Sequence, residues 1–144
     1  MLTQRQPSGT ERAVTYAQLL EHVRYEGAYP TRERAEEVLR AVLSALGRQL
    51  SGDIRDDLAA CLPRAAGRVL SGEIPDTVPL TGSSFVYDLA TRTGGTPATT
   101  RWDAGTVLAA VGRLAGDDLL DRVLARLPRG YALLFGRAEL TTAA

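Results

Sequence analysis

The sequence predicts an all-α fold in which one four-helix unit occurs twice. Apolar residues recur at three- and four-residue intervals over much of the chain, which is the spacing of a buried helix face. No useful length of chain alternates with period two, as a half-buried strand would. The pattern of residues 16–72 also returns, in degenerate form, over residues 85–136. We therefore predict about eight helices in two equivalent units packed as one domain.

The repeat is clearest at the end of each unit, where Leu62-Pro63 corresponds to Leu127-Pro128. The number of residues that separates corresponding positions of the two units, the offset, has a second value for the central helices. It has a third value for the first helices. The offset changes only between predicted helices, because a residue inserted within a helix would rotate its buried face. The expected organisation is a flexible tail at 1–10, a first repeat at 11–72, a linker at 73–84, a second repeat at 85–136 and a tail at 137–144.

The first unit begins with a helix from Tyr16 to about Gly27, whose apolar residues share one face. Thr31 follows the Tyr29-Pro30 loop and can accept hydrogen bonds from the free amides of a second helix. That helix is the most clearly predicted one in the chain. Its apolar stripe consists of Ala35, Val38, Leu39, Val42 and Leu46.

The rest of the first unit consists of two shorter helices. A turn at residues 50–53 precedes the third helix, and Ser51 or Asp53 can cap it. Pro63 suits the start of a helix, so we expect a short fourth helix from this residue. Gly72 is the expected end of that helix.

The second unit follows the same plan. Residues 73–84 contain two prolines and a glycine and are predicted to be the linker. A shorter helix is expected to open at Phe85, and residues 94–97 are predicted to form a loop. Thr100 is expected to cap the next helix, with Asp103 in capping-box spacing.

The last two helices repeat the end of the first unit. Residues 116–118 take the place of the earlier turn, and an apolar stripe follows as far as Leu127. Pro128 is expected to begin the final helix, which runs to Phe135 and stops at Gly136.

The order of features in residues 20–63 resembles a known bacterial family. These residues combine an acid-rich helix start, an Ala-xx-Val-Leu-xx-Val-Leu-xx-Leu pattern, a Ser-Gly-Asp turn and an Asp-Asp-Leu-Ala-xx-Leu-Pro segment. The chain is similar in this to the domain of unknown function 2267, whose unit usually occurs twice. The second copy lacks the Ser-Gly of the turn and the acidic helix start. Because that family has no established activity, the resemblance implies no functional residue.

Charge and composition exclude several classes of partner. The 17 basic residues are all arginine and balance 17 acidic residues, and neither unit is basic, so we expect no nucleic acid partner. No apolar run approaches the ~20 residues of a membrane span, and the start of the chain does not resemble a signal peptide. A single cysteine fits a reducing compartment. We expect a cytoplasmic protein with no membrane partner.

The residues that could carry chemistry are few. His22 and Cys61 are the minimum for a base and a nucleophile, but their spacing supplies neither proximity nor a third orienting group. We expect Cys61 to be a small buried core residue. The acidic clusters at 53–57 and 117–121 fall at helix starts, which favours capping over cation binding or acid–base catalysis. The sequence predicts no catalytic residue, no metal and no cofactor.

Five residues are candidates for an interaction surface. Arg32 and Arg101 each fall in the first turn of a predicted helix, where a positive charge opposes the macrodipole and needs a carboxylate or anionic partner. Trp102 points away from the apolar stripe of its helix, so it packs between the units or lies in an interface. Tyr25 and Tyr29 are aromatic residues expected near the same border.

The sequence favours a protein-interaction or scaffolding module over an enzyme. Two packed helical units create grooves that can receive a helix or an apolar ligand, whereas no catalytic constellation is visible. The simplest protein partner is a second copy of the chain in a homo-oligomer, such as a dimer. The alternative is a small enzyme or small-molecule-binding protein whose pocket contains Cys61, His22 and arginines.

Overall fold

The computed structural model describes residues 13–137, which contain eight helices and no strand. The predicted all-α class is therefore confirmed. None of these helices is long and apolar enough to cross a bilayer. The predicted tails lie outside the described residues, except for Arg137. The helices are α1 (Tyr16–Gly27), α2 (Arg32–Gln49), α3 (Gly52–Ala60), α4 (Arg64–Ser71), α5 (Gly82–Thr93), α6 (Pro97–Ala115), α7 (Asp117–Arg126) and α8 (Tyr131–Leu134).

The first two helices begin and end where the sequence predicts. Thr15 and Gln18 form a reciprocal capping box at the start of α1, with both hydrogen bonds 3.0 Å long. Ala28 ends α1 in the left-handed region, with φ of 56°. The hydroxyl of Thr31 accepts from the amide of Arg34 at 3.0 Å, which confirms the predicted N-cap of α2.

The start of α6 differs from the prediction. Thr96, and not Thr100, is the N-cap residue, and Thr99 completes its capping box. Pro97 is the first residue of the helix, because its fixed φ suits a helix start and its missing amide hydrogen would have no partner there. Thr100 lies inside the helix and is buried. Arg101 is consequently the fifth residue of α6 and lies outside the first turn, contrary to expectation.

Two other helices of the second half, α5 and α8, also begin at residues that differ from the prediction. Thr81 caps α5, so this helix starts at Gly82, inside the predicted linker. The last helix begins at Tyr131 rather than Pro128, because Gly130 has a φ of 99° and cannot belong to a helix. A Cβ on Gly82 would lie 2.5 Å from the backbone of Gly130, so glycine lets these two segments touch.

One core joins the first half (α1–α4) and the second half (α5–α8). Leu39 and Leu108 are both fully buried, and their helices α2 and α6 pack against each other. The other main contacts between the halves are α1 with α6, α2 with α5 and α3 with α7. The contact of α1 with α6 has its counterpart in that of α5 with α2, whereas the contacts of α2 with α6 and of α3 with α7 join corresponding helices. An approximate two-fold axis between the halves produces this pattern. The superposition of the two halves as equivalent units stays a prediction.

An ion pair joins corresponding positions of α3 and α7. Asp57 and Arg122 lie 2.9 Å apart, and they precede Leu62 and Leu127 by the same number of residues. At a two-fold contact, corresponding residues meet each other, so identical charges at this position would repel. The chain carries opposite charges there instead.

Candidate functional site

A groove runs along the exposed side of α6, between α1 and the start of α5 with α8. It consists of three adjoining cavities of about 180, 470 and 260 Å³. The first two share His22 and Arg113, and the last two share Arg101, so each cavity adjoins the next. We call it the α6 groove. Its principal lining residues are His22, Glu26, Arg101, Trp102, Gly105, Ala109, Arg113, Arg129 and Leu133.

The floor of the α6 groove is a row of residues at four-residue spacing: Arg101, Gly105, Ala109 and Arg113. Such rows form the ridges and grooves through which helices pack on one another. The two middle residues are small, and a Cβ added to Gly105 would meet no atom within 4 Å. The row is about 18 Å long, since each helical residue rises about 1.5 Å. The middle of the groove is therefore open to a side chain from outside.

Trp102 lines the same cavity as this floor, and Leu133 lines the adjoining cavity beyond Arg101. Trp102 is 56 % exposed and Leu133 is 55 % exposed. The indole Nε1–H of Trp102 donates to the carbonyl of Gly27 at 3.0 Å, so the polar end of the ring is held by the last residue of α1. This hydrogen bond links the two halves, while more than half of the side chain remains in solvent. A fixed, exposed indole is the kind of group that dominates binding energy at protein interfaces.

Tyr29 does not contribute exposed area to the surface that it was expected to border. It is only 8 % exposed, and its hydroxyl donates to Asp103 in α6 at 2.5 Å. Its ring packs against Gly27, where an added Cβ would lie 2.1 Å from the ring. Burial, and then the hydrogen bond to Asp103, raises the pKa of Tyr29 above its ordinary value. Tyr29 therefore acts with Trp102 to hold the end of α1 against α6.

The charges along the α6 groove are mainly positive. Arg101, Arg113 and Arg129 form no ion pair with a carboxylate in residues 13–137. The guanidinium of Arg113 contacts Nε2 of His22 instead. Glu26 is the acidic residue among those that line the groove. The groove thus presents an excess of guanidinium groups, with an arginine at each end of the small residues Gly105 and Ala109.

The remaining two candidates lie elsewhere. Arg32 is the first residue of α2, and its guanidinium lies 3.8 Å from the carboxylate of Glu21. Glu21 also accepts from Arg24, which lowers the pKa of the Glu21 carboxyl. Tyr25 is exposed on α1 and does not line the α6 groove. Of the five predicted surface residues, the structure thus brings only Arg101 and Trp102 together in the groove.

The prediction that Cys61 is a buried core residue is wrong. Cys61 is exposed, because it is the C-cap residue of α3 and lies off the face that buries Leu58. Partial burial, and then the charge of Asp57, raises the pKa of its thiol, which disfavours the reactive thiolate. Within residues 13–137, no hydrogen bond joins Cys61 to His22, which lies in the α6 groove. The geometry therefore gives no support to a catalytic dyad.

The acidic clusters lie at the starts of α3 and α7. Asp53 is in the first turn of α3, and Asp117 and Asp118 are in that of α7, where negative charge complements the helix dipole. Among the residues that the structure describes, no group of three or more His, Cys, Asp or Glu side chains is placed to hold a metal ion.

A separate cavity of about 360 Å³ lies between α2, α5 and α6, and its lining is more polar than that of the α6 groove. The hydroxyls of Thr93, Thr99 and Thr100 all lie close to Gly95 at its edge. Thr100 is 3 % exposed, and no hydrogen bond joins its hydroxyl to another residue in 13–137. In residues 13–137 the fully buried side-chain polar atoms without a partner are Arg55 Nε and Arg137 Nη1, and the Thr100 hydroxyl is not among them. The threonine hydroxyls are instead polar groups in the cavity wall that water or a small polar ligand can contact.

Sequence reasoning missed most of the α6 groove, in particular Gly105, Ala109, Arg113 and Leu133. The four-residue row between two arginines was visible in the sequence. A row of small residues opposite the apolar stripe is, however, an ordinary solvated helix face until neighbouring elements flank it. The positions of α1 and α8 beside α6 turn this face into a groove.

Comparison with known families supplies one match. Residues 16–134 match the model of a family described as "Uncharacterized conserved protein (DUF2267)". The matched segment runs from the first residue of α1 to the last residue of α8 and includes the floor of the α6 groove. No curated protein matches the chain.

Proposed function

We propose that this chain, which belongs to the family of uncharacterized conserved proteins DUF2267, is a protein-interaction module that binds its partner in the α6 groove. The observation that carries the proposal is Trp102, whose ring is fixed at one end by Gly27 and exposed over a floor of small residues. An exposed apolar surface of this kind usually marks association. Binding would remove Trp102 and Leu133 from water together.

The proposal extends to the setting of the protein. We place it in a bacterial cytoplasm, where the single cysteine needs no disulfide partner. We also propose that α1–α4 and α5–α8 are tandem copies of the family unit. The changes of offset in loops and the reciprocal contacts between the halves support this part of the proposal.

The decisive experiment captures cellular partners with the wild-type chain and with two groove variants. Trp102→Ala removes the exposed ring, and Gly105→Leu fills the floor with a side chain. Because Gly105 faces open space and glycine is a poor helix former, the second variant should keep its helical circular dichroism and unfold no earlier than wild type. A partner of the α6 groove should be recovered with wild type and lost with both variants.

A matched control variant is Tyr87→Ala, which removes an exposed aromatic ring from α5, outside the α6 groove. This variant should recover the same partner as wild type. Recovery of one unchanged set of proteins by wild type and both groove variants would show that the groove is not the binding site.

Small-molecule binding is the second candidate function, supported by the cavity of about 360 Å³ whose wall contains the hydroxyls of Thr93, Thr99 and Thr100. The proposal of a pocket built on Cys61 and His22 loses its support, because no hydrogen bond joins them and the Cys61 thiol is exposed. A metabolite that protects the chain from thermal unfolding, and no longer does so after Thr100→Val, would favour this function over the first.

A further inference from the structure

We infer that the partner of the α6 groove is an amphipathic α-helix with acidic residues along the edges of its apolar face. This inference rests on the proposed function and adds the chemistry of the partner. It is carried by the shape of the groove floor and by the charges at its two ends.

The shape of the groove fits a helix. The floor row at four-residue spacing is the geometry that receives the side-chain ridge of a second helix. Its length of about 18 Å corresponds to about 12 helical residues, or a little over three turns. Residues 13–137 contain no strand, so this part of the chain offers no sheet edge on which an extended peptide could add a strand.

The charges of the groove fit acidic residues on that helix. Arg101 and Arg113 stand at the two ends of the floor, and Arg129 lies beyond Arg101. Three guanidinium groups without a carboxylate partner in residues 13–137 face one opposing charge, that of Glu26. Carboxylates on the partner would supply the missing opposite charges and give the arginines fork-like hydrogen bonds.

The same charges disfavour a second copy of this chain as the occupant. If two copies paired their grooves about a two-fold axis, antiparallel α6 helices would bring Arg101 of each copy near Arg113 of the other. Parallel helices would bring each arginine against its own equivalent. Either arrangement places like charges together at the rim of the contact, which works against association.

Nucleic acid is also disfavoured. A phosphate backbone needs a dense run of cations, because its affinity comes from neutralising many phosphates. Here the arginines are separated by Gly105 and Ala109, and the chain as a whole has a formal net charge of zero.

A displayed peptide library tests the inference with a defined probe. The library is a set of 18-residue amphipathic helices with a fixed leucine stripe and randomised polar positions, selected on the full-length protein. Selected helices should be enriched in Asp and Glu at the positions that flank the stripe. Their affinity should fall as salt is added, since charge pairs at the rim are screened.

Variants of the protein identify the side chains that recognise the acidic residues of the selected peptides. Replacing both Arg101 and Arg113 by glutamine should weaken the selected helices about three- to tenfold, which is the range for two exposed charge pairs. Glu26→Gln is the matched control, because it also removes a charge from the groove but should preserve or improve acidic binders. Trp102→Ala should abolish binding regardless of the charge on the peptide.

The outcomes separate this inference from the proposed function. Selected helices that need Trp102 but are neutral or basic would overturn the acidic partner and leave the binding module standing. Helices that bind equally well to Trp102→Ala, or a library that yields none, would overturn both. Displacement of the selected helices by a short single-stranded DNA at equal concentration would also overturn the acidic helix as occupant. So would self-association of the protein, if it blocks the peptides and becomes stronger with Arg101→Gln.

Discussion

The two halves of the molecule bring their helices together in different ways. In the first half, backbones approach closely at glycines: a Cβ on Gly47 would lie 2.1 Å from the carbonyl oxygen of Leu70. The second half also has such a contact, between Gly82 and Gly130, and it adds a pair of aromatic rings: those of Phe85 and Tyr131 meet edge to face with centroids 5.3 Å apart. The halves thus share close contacts at glycine and differ in the packed aromatic pair that fills the core of the second half.

The difference follows from the last helix of each half. The first half ends in the eight residues of α4, whereas α8 has only four residues. Tyr131 stands where the repeat has Ala66, and Phe135 stands where it has Leu70, so larger side chains accompany the shorter helix. The hydroxyl of Tyr131 donates to the carbonyl of Leu80 at 2.9 Å, which satisfies its one buried polar group.

The same comparison explains why the floor of the α6 groove is open. In the alignment of the two halves, Glu36 and Arg40 of α2 correspond to Gly105 and Ala109 of α6. Glu36 accepts a hydrogen bond of 2.7 Å from the hydroxyl of Tyr16, so a polar contact covers this part of α2. The second half replaces both long side chains by small ones and leaves the equivalent surface free for a partner.

The largest effect is expected where an aromatic ring fills the second half. Tyr131→Ala should lower the free energy of unfolding by about 3 to 5 kcal/mol, because it leaves a cavity and an unpaired carbonyl. Urea denaturation measures this loss. Tyr25→Ala, which truncates an exposed tyrosine, is the control and should change little. A loss below about 1 kcal/mol for Tyr131→Ala would mean that aromatic volume does not support the second half.

The equivalence of the central helices predicts a matched pair of effects. Leu39→Ala and Leu108→Ala should each cost about 2 to 5 kcal/mol, since both side chains are fully buried. If the sites are equivalent, the two losses should agree within about 1 kcal/mol, because similar surroundings collapse to a similar degree. Chemical denaturation of both variants under one condition makes the comparison. A large loss at one leucine beside a negligible loss at the other would contradict the two-unit account.

Two glycines should respond in opposite directions. Gly47→Ala should destabilise by about 1 to 3 kcal/mol, because the new methyl group would overlap a backbone carbonyl. Gly105→Ala should stabilise by about 0.5 to 1 kcal/mol, because alanine is the better helix former and the site is open. Thermal unfolding distinguishes the two signs. Equal shifts in the same direction would show that the close contact of Gly47 with the carbonyl of Leu70 does not decide the effect of the substitution.

The smallest effect is expected at the ends of the first helix of each half. Ala28 and Gly94 both cap their helices in the left-handed region, with φ of 56° and 77°. Ala28→Gly should stabilise by up to about 1 kcal/mol, because it removes the steric cost of a Cβ in this conformation, although glycine gains entropy on unfolding. Gly94→Ala should destabilise by a similar amount. Opposite shifts in melting temperature are the expected result, and shifts of the same sign would contradict it.

The sequence was sufficient for the fold class and nearly so for the helices of the first half, although Pro63 is the N-cap residue of α4 and not its first residue. Thr31 acts locally, through a side-chain cap, and Gly72 is the C-cap residue of α4, so both helix ends could be predicted without tertiary structure. The start of α6 was missed because Pro97 is equally compatible with a loop and with the first position of a helix. The burial of Cys61 was predicted wrongly, because the exposure of a residue at the end of a helix depends on the residue at which that helix ends.

The site was less predictable than the fold, for a physical reason. Trp102 could be singled out from its position off the apolar stripe, but its partner Gly27 is distant in sequence. Gly105 and Ala109 carry no chemistry of their own and become part of a site only because α1 lies beside them. A groove is a property of two or more elements, whereas the sequence pattern reports on one element at a time.

The most direct test of the account is the solvent accessibility of Trp102, the one tryptophan of the chain. Acrylamide quenching of its fluorescence can be measured in the free protein and in complex with the captured partner or a selected helix. If the α6 groove is the binding site, quenching should be efficient in the free protein and should fall clearly on binding. Unchanged quenching in a complex that is fully formed would contradict the central claim.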